Sequence, residues 1–300
     1  MSQTVVLGDV MVDVVARLSG PLAPGSDSPA SNSLHGGGQA ANTAAWLAAA
    51  GERPLLVGRV GDDALGREAG RALRDAGVDC RLALDPEHPT GTCVVLVSAG
   101  GERTMLPDPG ANDGLAPEDL PDELLDECSH LHVAGYALIR EGSRAAARSA
   151  IERAGQRGLG VSLDPSSAAL LSPDFLQDAR GAGLLVPNGA EATALTGERD
   201  PERAAVALAG REGEVAVTLA EEGALWTDGH EVVRVAAEPA ELVDSTGAGD
   251  AFAAGLLAAR AAGAEPPEAL AAACRLAATA VTTPGARPPL RRAPTRAGDA

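Results

Sequence analysis

The sequence predicts an α/β fold, a doubly wound, mainly parallel central sheet flanked by helices, carrying a small β-sheet lid. Two observations predict it. Short β-rich apolar runs alternate with Ala-rich helical stretches along most of the 300 residues, and just two stretches break that alternation. A chain of this length buries a sizeable core without disulfide or metal staples.

The strand candidates are Thr4 to Leu7, Pro54 to Val60, His130 to Val133, Gly160 to Leu163, Leu184 to Val186 and Val215 to Leu219, each a short apolar run. Between them the helix candidates are Ala40 to Ala50, Ala64 to Ala76, Ser143 to Gln156, Pro201 to Ala209, Ala248 to Ala262 and Pro267 to Val281. Nearly all carry Gly or an acidic residue where a helix starts or stops. The two exceptions, Val12 to Ser33 and Pro89 to Pro109, read as strands with turns, the second turning around Ala99-Gly100-Gly101. They are expected to form the lid, residues 12–33 and 89–109, over one edge of the main sheet, because open α/β sheets bind ligands at strand ends and commonly close over them. Residues 1–300 are read as one domain, with 287–300, rich in Pro and Arg, as a frayed tail.

Composition narrows the function. Aromatic residues are 2% of the chain, so stacking platforms for nucleic-acid bases are essentially missing. The net charge of -18 repels phosphate backbones and anionic lipid, which excludes nucleic acid and membrane as expected partners. Every basic side chain other than His is Arg; with no Lys, a Walker-type phosphate loop is ruled out. The start, MSQTVVLGDVMVDVV, has acidic residues inside its apolar stretch and no basic opening, unlike a signal peptide. Four scattered cysteines, Cys80, Cys93, Cys128 and Cys274, read as reduced thiols, and the expected location is the cytoplasm.

The most informative segment is Asp244-Ser245-Thr246-Gly247-Ala248-Gly249-Asp250, running straight into the helical AFAAGLLAAR. Small residues at a helix start let successive N–H groups converge on an anion, and in a chain without Lys such a nest is how phosphate charge can be held. Asp250, in the first turn, suits proton abstraction from an attacking hydroxyl, which together with the nest reads as phosphoryl transfer to an alcohol. The alternative is a Gly-rich turn whose Asp merely favours the helix dipole. A second segment, His35-Gly36-Gly37-Gly38-Gln39-Ala40-Ala41-Asn42, puts glycines before a helix and an amide one turn inside, suited to a polyol or else facing solvent. Asp13, just past the first strand, is a candidate sugar-diol acceptor or a surface carboxylate. In Val186-Pro187-Asn188-Gly189-Ala190-Glu191, Asn and Glu three apart share a helix face, able to orient magnesium-bound water or to form a helix cap.

In this order the segments resemble the ribokinase-like (PfkB) family of carbohydrate kinases. GGQAAN at Gly37 to Asn42 is similar to its N-terminal glycine signature and DSTGAGDAFAAG at Asp244 to Gly255 to its C-terminal one. Asn188 to Glu191 matches N-x-x-E, and VTLAEEGALW at Val217 to Trp226 resembles the nucleotide-binding T-L-G-x-x-G strand. The resemblance implies a ribokinase-like fold that uses ATP and Mg2+ to phosphorylate a primary hydroxyl of a ribose-, fructose- or keto-deoxy-sugar-like substrate. It makes Asp250 the catalytic base and the Gly247, Ala248 and Gly249 backbone the anion hole. It assigns the sugar to Asp13, Gly37, Gly38, Gln39 and Asn42, the nucleotide to Asn188, Thr218, Gly223 and Gly249, and magnesium water to Glu191. Asp244, Thr246, Ala280, Thr283 and Gly285 match the monovalent-cation positions of ribokinases, implying K+. The lid in many relatives also forms a homodimer clasp.

Departures bear on substrate. Gln39 replaces a Lys of ribokinases proper and Met11 an Asn, and Ala134-Gly135-Tyr136 lacks an acidic sugar contact, which points away from ribose. Ala220 replaces a motif glycine, tolerable where φ is negative. His130 and His132, two apart on a strand, are read as structural rather than as metal ligands, and Arg103 as a solvated turn residue. Two other readings of the fold are a nucleoside kinase, with Trp46, Phe252 and aliphatic residues holding the base, and a non-catalytic sensor.

Overall fold

The structure, a computed structural model, describes residues 3–289. The N-terminal half contains β1 (Gln3–Leu7), β2 (Met11–Leu18), β3 (Ala30–Gly37), α1 (Gln39–Ala49), β4 (Leu55–Gly61), α2 (Ala64–Asp75), β5 (Asp79–Asp85), β6 (Gly91–Val97) and β7 (Arg103–Asp108). There follow α3 (Asp122–Asp126), β8 (Cys128–Ala134), α4 (Tyr136–Ile139), α5 (Arg144–Gln156), β9 (Gly160–Asp164), α6 (Phe175–Asp178) and β10 (Leu184–Leu185). The last part is α7 (Gly189–Thr196), α8 (Pro201–Glu212), β11 (Glu214–Thr218), β12 (Ala224–Thr227), β13 (Val232–Val235), α9 (Ala248–Ala261) and α10 (Pro266–Val281).

Nine strands make the large sheet in the order β13-β12-β11-β10-β9-β8-β1-β4-β5, parallel from β11 to β5 and finished by an antiparallel hairpin at the other edge. Strand alternation explains why both faces are covered. Val5 and Leu7 of β1 join one apolar cluster with helices α5, α7 and α8, while Val6 between them joins a second with α1, α2, α9 and α10. Val215, Ala216 and Val217 of β11 divide in the same way. The Ala-rich composition matters here because it lets helices close up: a Cβ on Gly255 of α9 would lie 2.8 Å from the Cα of Ala273 in α10.

The lid is a four-stranded sheet in the order β3-β2-β6-β7 with a small core of Met11, Cys93, Val95 and Val97. Its first excursion runs on to Gly37, beyond the expected Ser33, so His35 to Gly37 close a strand instead of opening a helix. At the root of the lid Asn112 brackets Val10, its Oδ1 accepting the Val10 N–H at 2.8 Å and its Nδ2 donating to the Val10 carbonyl at 3.0 Å.

The sequence treats Val217 to Trp226 as one strand, and the structure makes it two, β11 and β12, joined by a helical turn at Ala220–Glu222. Ala220 sits at φ +52°, so the methyl expected to be harmless is held in the left-handed region, at a cost of about 1 kcal/mol. The edge strand β5 was not foreseen, since DCRLALD mixes charge with apolar residues. Among the described residues no cysteine is bridged and no helix is long and apolar enough to cross a membrane.

Candidate active site

Two helix N-termini meet above the carboxyl ends of the central strands. Helix α1 starts after Gly38, whose φ of +93° and close approach to the Asp9 carbonyl, 2.6 Å from where a Cβ would stand, exclude a side chain. With no capping side chain of its own, α1 is capped from outside: buried Asp9 accepts the Ala40 N–H through Oδ1 at 3.2 Å. Helix α9 starts after Gly247, at φ +79° and packed against the Ala286 carbonyl.

Asp250, in the first turn of α9, is hydrogen-bonded by the Asn42 amide of α1, Nδ2 to Oδ2 at 2.9 Å. Burial pushes its carboxyl up from 3.8 to about 7; the Asn42 bond pulls it back and the charge of Asp9 adds to the rise. Around it, among the described residues, the N–H groups of Gly247 and Gly249 have no protein acceptor, whereas that of Ala248 donates to the Ser245 carbonyl at 3.3 Å. A Cβ on Gly249 would meet nothing within 4 Å, so the space over this turn is open. Asp250 and the Gly247 to Gly249 backbone are thus brought together as the sequence anticipates, with Ala248 the member already engaged.

The residues assigned to the sugar also converge. The Asp13 carboxylate lies directly over Gly37, 2.3 Å from where a Cβ of that residue would be, which is why Gly stands there. Burial raises Asp13 from 3.8 to about 6, opposed by Arg287 and His35. Asp13, with Val15, Arg17 and His35 of the lid, lines the cleft between the lid and the segments at 244–246 and 284–286. Asn42 neither faces solvent nor offers its whole amide to a polyol: it is buried, giving Nδ2 to Asp250 and accepting from Arg287 at 3.1 Å. Gln39 accepts the Ser166 hydroxyl, Ser166 being held at φ +76° beyond β9.

On the nucleotide side, Asn188 and Thr218 are neighbours at the ends of β10 and β11. Asn188 and Glu191 form a reciprocal capping box on α7, Asn188 Oδ1 accepting the Glu191 N–H at 2.9 Å and Glu191 Oε2 accepting the Asn188 N–H at 2.8 Å. The cap uses one carboxylate oxygen of Glu191 and leaves Oε1 without a protein donor among the described residues. Gly223, at φ +98° with the Val235 carbonyl 2.1 Å from its would-be Cβ, is demanded by strand packing, a sufficient reason for glycine without any nucleotide.

Sequence reasoning missed three participants. Asp164, at the end of β9, is buried and its carboxyl is raised by that burial and by the charges of Glu191 and Asp250. Glu191 is raised too, again by burial, with the Asn188 bonds opposing. Two carboxylates crowded in one buried space are poorly compensated, an arrangement that a divalent cation between them and a polyphosphate relieves. Asp9 is the second, because capping from a distant segment leaves no sequence signature. Arg287 is the third and a correction: expected at the start of a frayed tail, it is ordered in the site. Its Nη2 donates to the Gly37 carbonyl at 2.7 Å and its Nε to Asn42 Oδ1, and burial lowers it to about 10 while Asp13 and Asp250 hold it charged. The rest of that tail, residues 290–300, lies outside the described residues.

Arg103 is likewise not a solvated turn residue. From β7 of the lid its Nη2 meets Asp244 Oδ1 at 2.7 Å and its Nη1 donates to Thr246 Oγ1. Buried Asp244 also accepts the Thr246 N–H at 2.8 Å through Oδ1 and the Gly285 N–H at 3.1 Å through Oδ2. The His130 and His132 pair is structural as expected: both rings share Ser162 Oγ at 2.8 Å, and burial lowers them to about 4 and about 3. Among the described residues no three His, Cys, Asp or Glu form a metal-holding group.

A buried carboxyl raised to about 7, open N–H groups at a helix start and a cleft roofed by the small sheet suit a phosphotransferase with an alcohol group as acceptor. The profile of the "pfkB family carbohydrate kinase" matches residues 1–293, and the chain belongs to that family. Over 265 residues it is 35% identical to the fructokinase of Escherichia coli, covering 84% of this chain and 82% of that one. Its fold matches the adenosine kinase structure from Sinorhizobium meliloti with a TM-score of 0.87 and 29% identity, covering 96% of each chain. It also matches a putative Ribokinase II from E. coli, solved with ATP and Mg+2, with a TM-score of 0.85 and 25% identity over 95% of this chain and 94% of that one.

Proposed function

We propose that this kinase transfers the γ-phosphoryl group of ATP to a primary hydroxyl of a small carbohydrate, with Asp250 as general base. The observation that carries the reading is the placement of Asp250: buried, raised to about 7, and beside open helix-start N–H groups. The acceptor hydroxyl gives its proton to Asp250 as its oxygen bonds to phosphorus and the bond from phosphorus to the β–γ bridging oxygen breaks. The Gly247 and Gly249 N–H groups stabilise the charge on the equatorial oxygens. The Asp13 carboxylate, with no protein donor among the described residues, accepts from sugar hydroxyls, and Gly37, Gly38, Gln39 and Asn42 shape the floor beneath. Asn188, Thr218, Gly223 and Gly249 would hold ATP, and Asn188, Glu191 and Asp164 would hold the water of a magnesium ion. When bound, that ion neutralises phosphate charge.

A carbohydrate is favoured over a nucleoside by where the aromatics lie. Trp46 and Phe252, the residues available to hold a base, are 2% exposed and packed in the core between α1, α9 and α10. The S. meliloti adenosine kinase likeness keeps the nucleoside as the second reading. Magnesium-ATP consumption against pentoses, hexoses, keto-deoxy sugar acids and nucleosides tests both: a strong sugar hit supports the first, and turnover confined to nucleosides replaces it.

We also propose a homodimer through the lid. Leu34, Val94 and Leu106 form one exposed apolar row across β3, β6 and β7 on the outer face. Light scattering is expected to give a dimer mass for the wild type and a monomer mass for Val94→Arg; a monomeric wild type refutes it.

A further inference from the structure

The monovalent cation that the resemblance implies beside the anion hole needs oxygen lone pairs turned toward it, and in this chain Asp244, the Thr246 hydroxyl and the Ala280 carbonyl are already engaged by protein hydrogens. Both carboxylate oxygens of Asp244 accept protein hydrogens. The second oxygen, Oδ2, is taken by the Gly285 N–H at 3.1 Å. The Ala280 carbonyl faces the N–H and hydroxyl of Thr283 at 3.3 and 3.4 Å. The Thr246 hydroxyl is met by Arg103, so a guanidinium brings positive charge to this set. Its planar fork spans Asp244 and Thr246, two residues of the loop that delivers Gly247 and Gly249.

We propose that Arg103 is the resident cation of this site, so that the enzyme works without an added monovalent ion. The proposal rests on the kinase reading above. Arg103 is a positioning residue: it acts by fixing the Asp244 to Thr246 loop and placing a positive charge behind the anion hole. Because it belongs to β7, that charge comes with the lid. The loop is fully braced when the lid is down on the cleft, and lifting the lid withdraws the cation and the brace together. An ion taken from solution imposes no such linkage.

The test compares the wild type, Arg103→Ala and Arg103→Lys in buffers free of sodium and potassium, with choline chloride or KCl at about 100 mM so that screening is equal. With the best acceptor of the panel, the wild-type rate is expected to be the same in both salts to within about twofold. Arg103→Ala is expected to lose about tenfold or more in kcat with little change in the KM for ATP, and to regain most of it in KCl. Arg103→Lys, which keeps a charge, is expected to stay insensitive to potassium. The second readout is thermal melting against KCl and choline chloride, which needs no substrate: stabilisation specific to potassium is expected in Arg103→Ala alone. Potassium-specific activation or stabilisation of the wild type overturns the proposal, as does an Arg103→Ala enzyme with wild-type kcat that ignores potassium. If no acceptor turns over, the kinase reading falls, and melting still decides whether Arg103 occupies the cation position.

Discussion

Asp250→Asn is expected to lower turnover by about 10^2- to 10^4-fold, the range that a positioned base contributes, while nucleotide affinity stays within about twofold. The Asn side chain keeps an acceptor for the Asn42 amide, so geometry survives and the proton acceptor is what is lost. With a wild-type carboxyl near 7, kcat/KM of the wild type is expected to rise with pH through about 7, because the base works ionised; that limb disappears in the variant. Stability moves the opposite way. Between the unfolded value of 3.8 and the folded value of about 7, the folded chain holds a proton that the unfolded chain has released, so the wild type loses stability as pH rises through that window. Asn carries no such charge. The variant is therefore expected to melt several degrees above the wild type at pH 8, with the gap closing toward pH 4. Retained wild-type turnover in Asp250→Asn refutes its assignment as base, and a lower melting temperature at pH 8 refutes the electrostatic account.

Arg287→Gln is expected to reduce kcat/KM at pH 7 by about 10^2-fold, in the range found when one partner of a buried charge pair is removed. The guanidinium orders Asn42 and the Gly37 carbonyl and holds down both Asp13 and Asp250. Without it both carboxyls rise, and the rising limb of the pH profile is expected to move above its wild-type position, so activity recovers partly in alkaline buffer. A loss that is independent of pH would make Arg287 a packing residue only.

Most of the sheet was legible because its elements obey local rules. All six strand candidates appear in β1, β4, β8, β9, β10 and β11, and the six helix candidates match α1, α2, α5, α8, α9 and α10 to within a few residues. What stayed hidden depends on contacts distant along the chain. Arg287 looked like tail because Pro and Arg mark fraying, yet its neighbours Asp13, Gly37 and Asn42 are some 250 residues earlier. The bond from Asn42 to Asp250 stayed hidden for the same reason, since it joins helices 208 residues apart. Ala220 misled for a smaller reason: the residue type does not reveal that its backbone is left-handed.

The bracket that Asn112 places on Val10 also sets how the enzyme can open. Those two hydrogen bonds occupy the Val10 N–H and carbonyl as a neighbouring strand would, clamping the residue that joins β1 to β2. A hinge for the small sheet at this point is expected to lie beyond Val10, with Asp9, on the inner side, tied to α1. On one side of this bracket lie Asp9 and the start of α1, and on the other the small-sheet residues Asp13 and Arg103. One side chain, far from both in sequence, keeps the two from drifting apart.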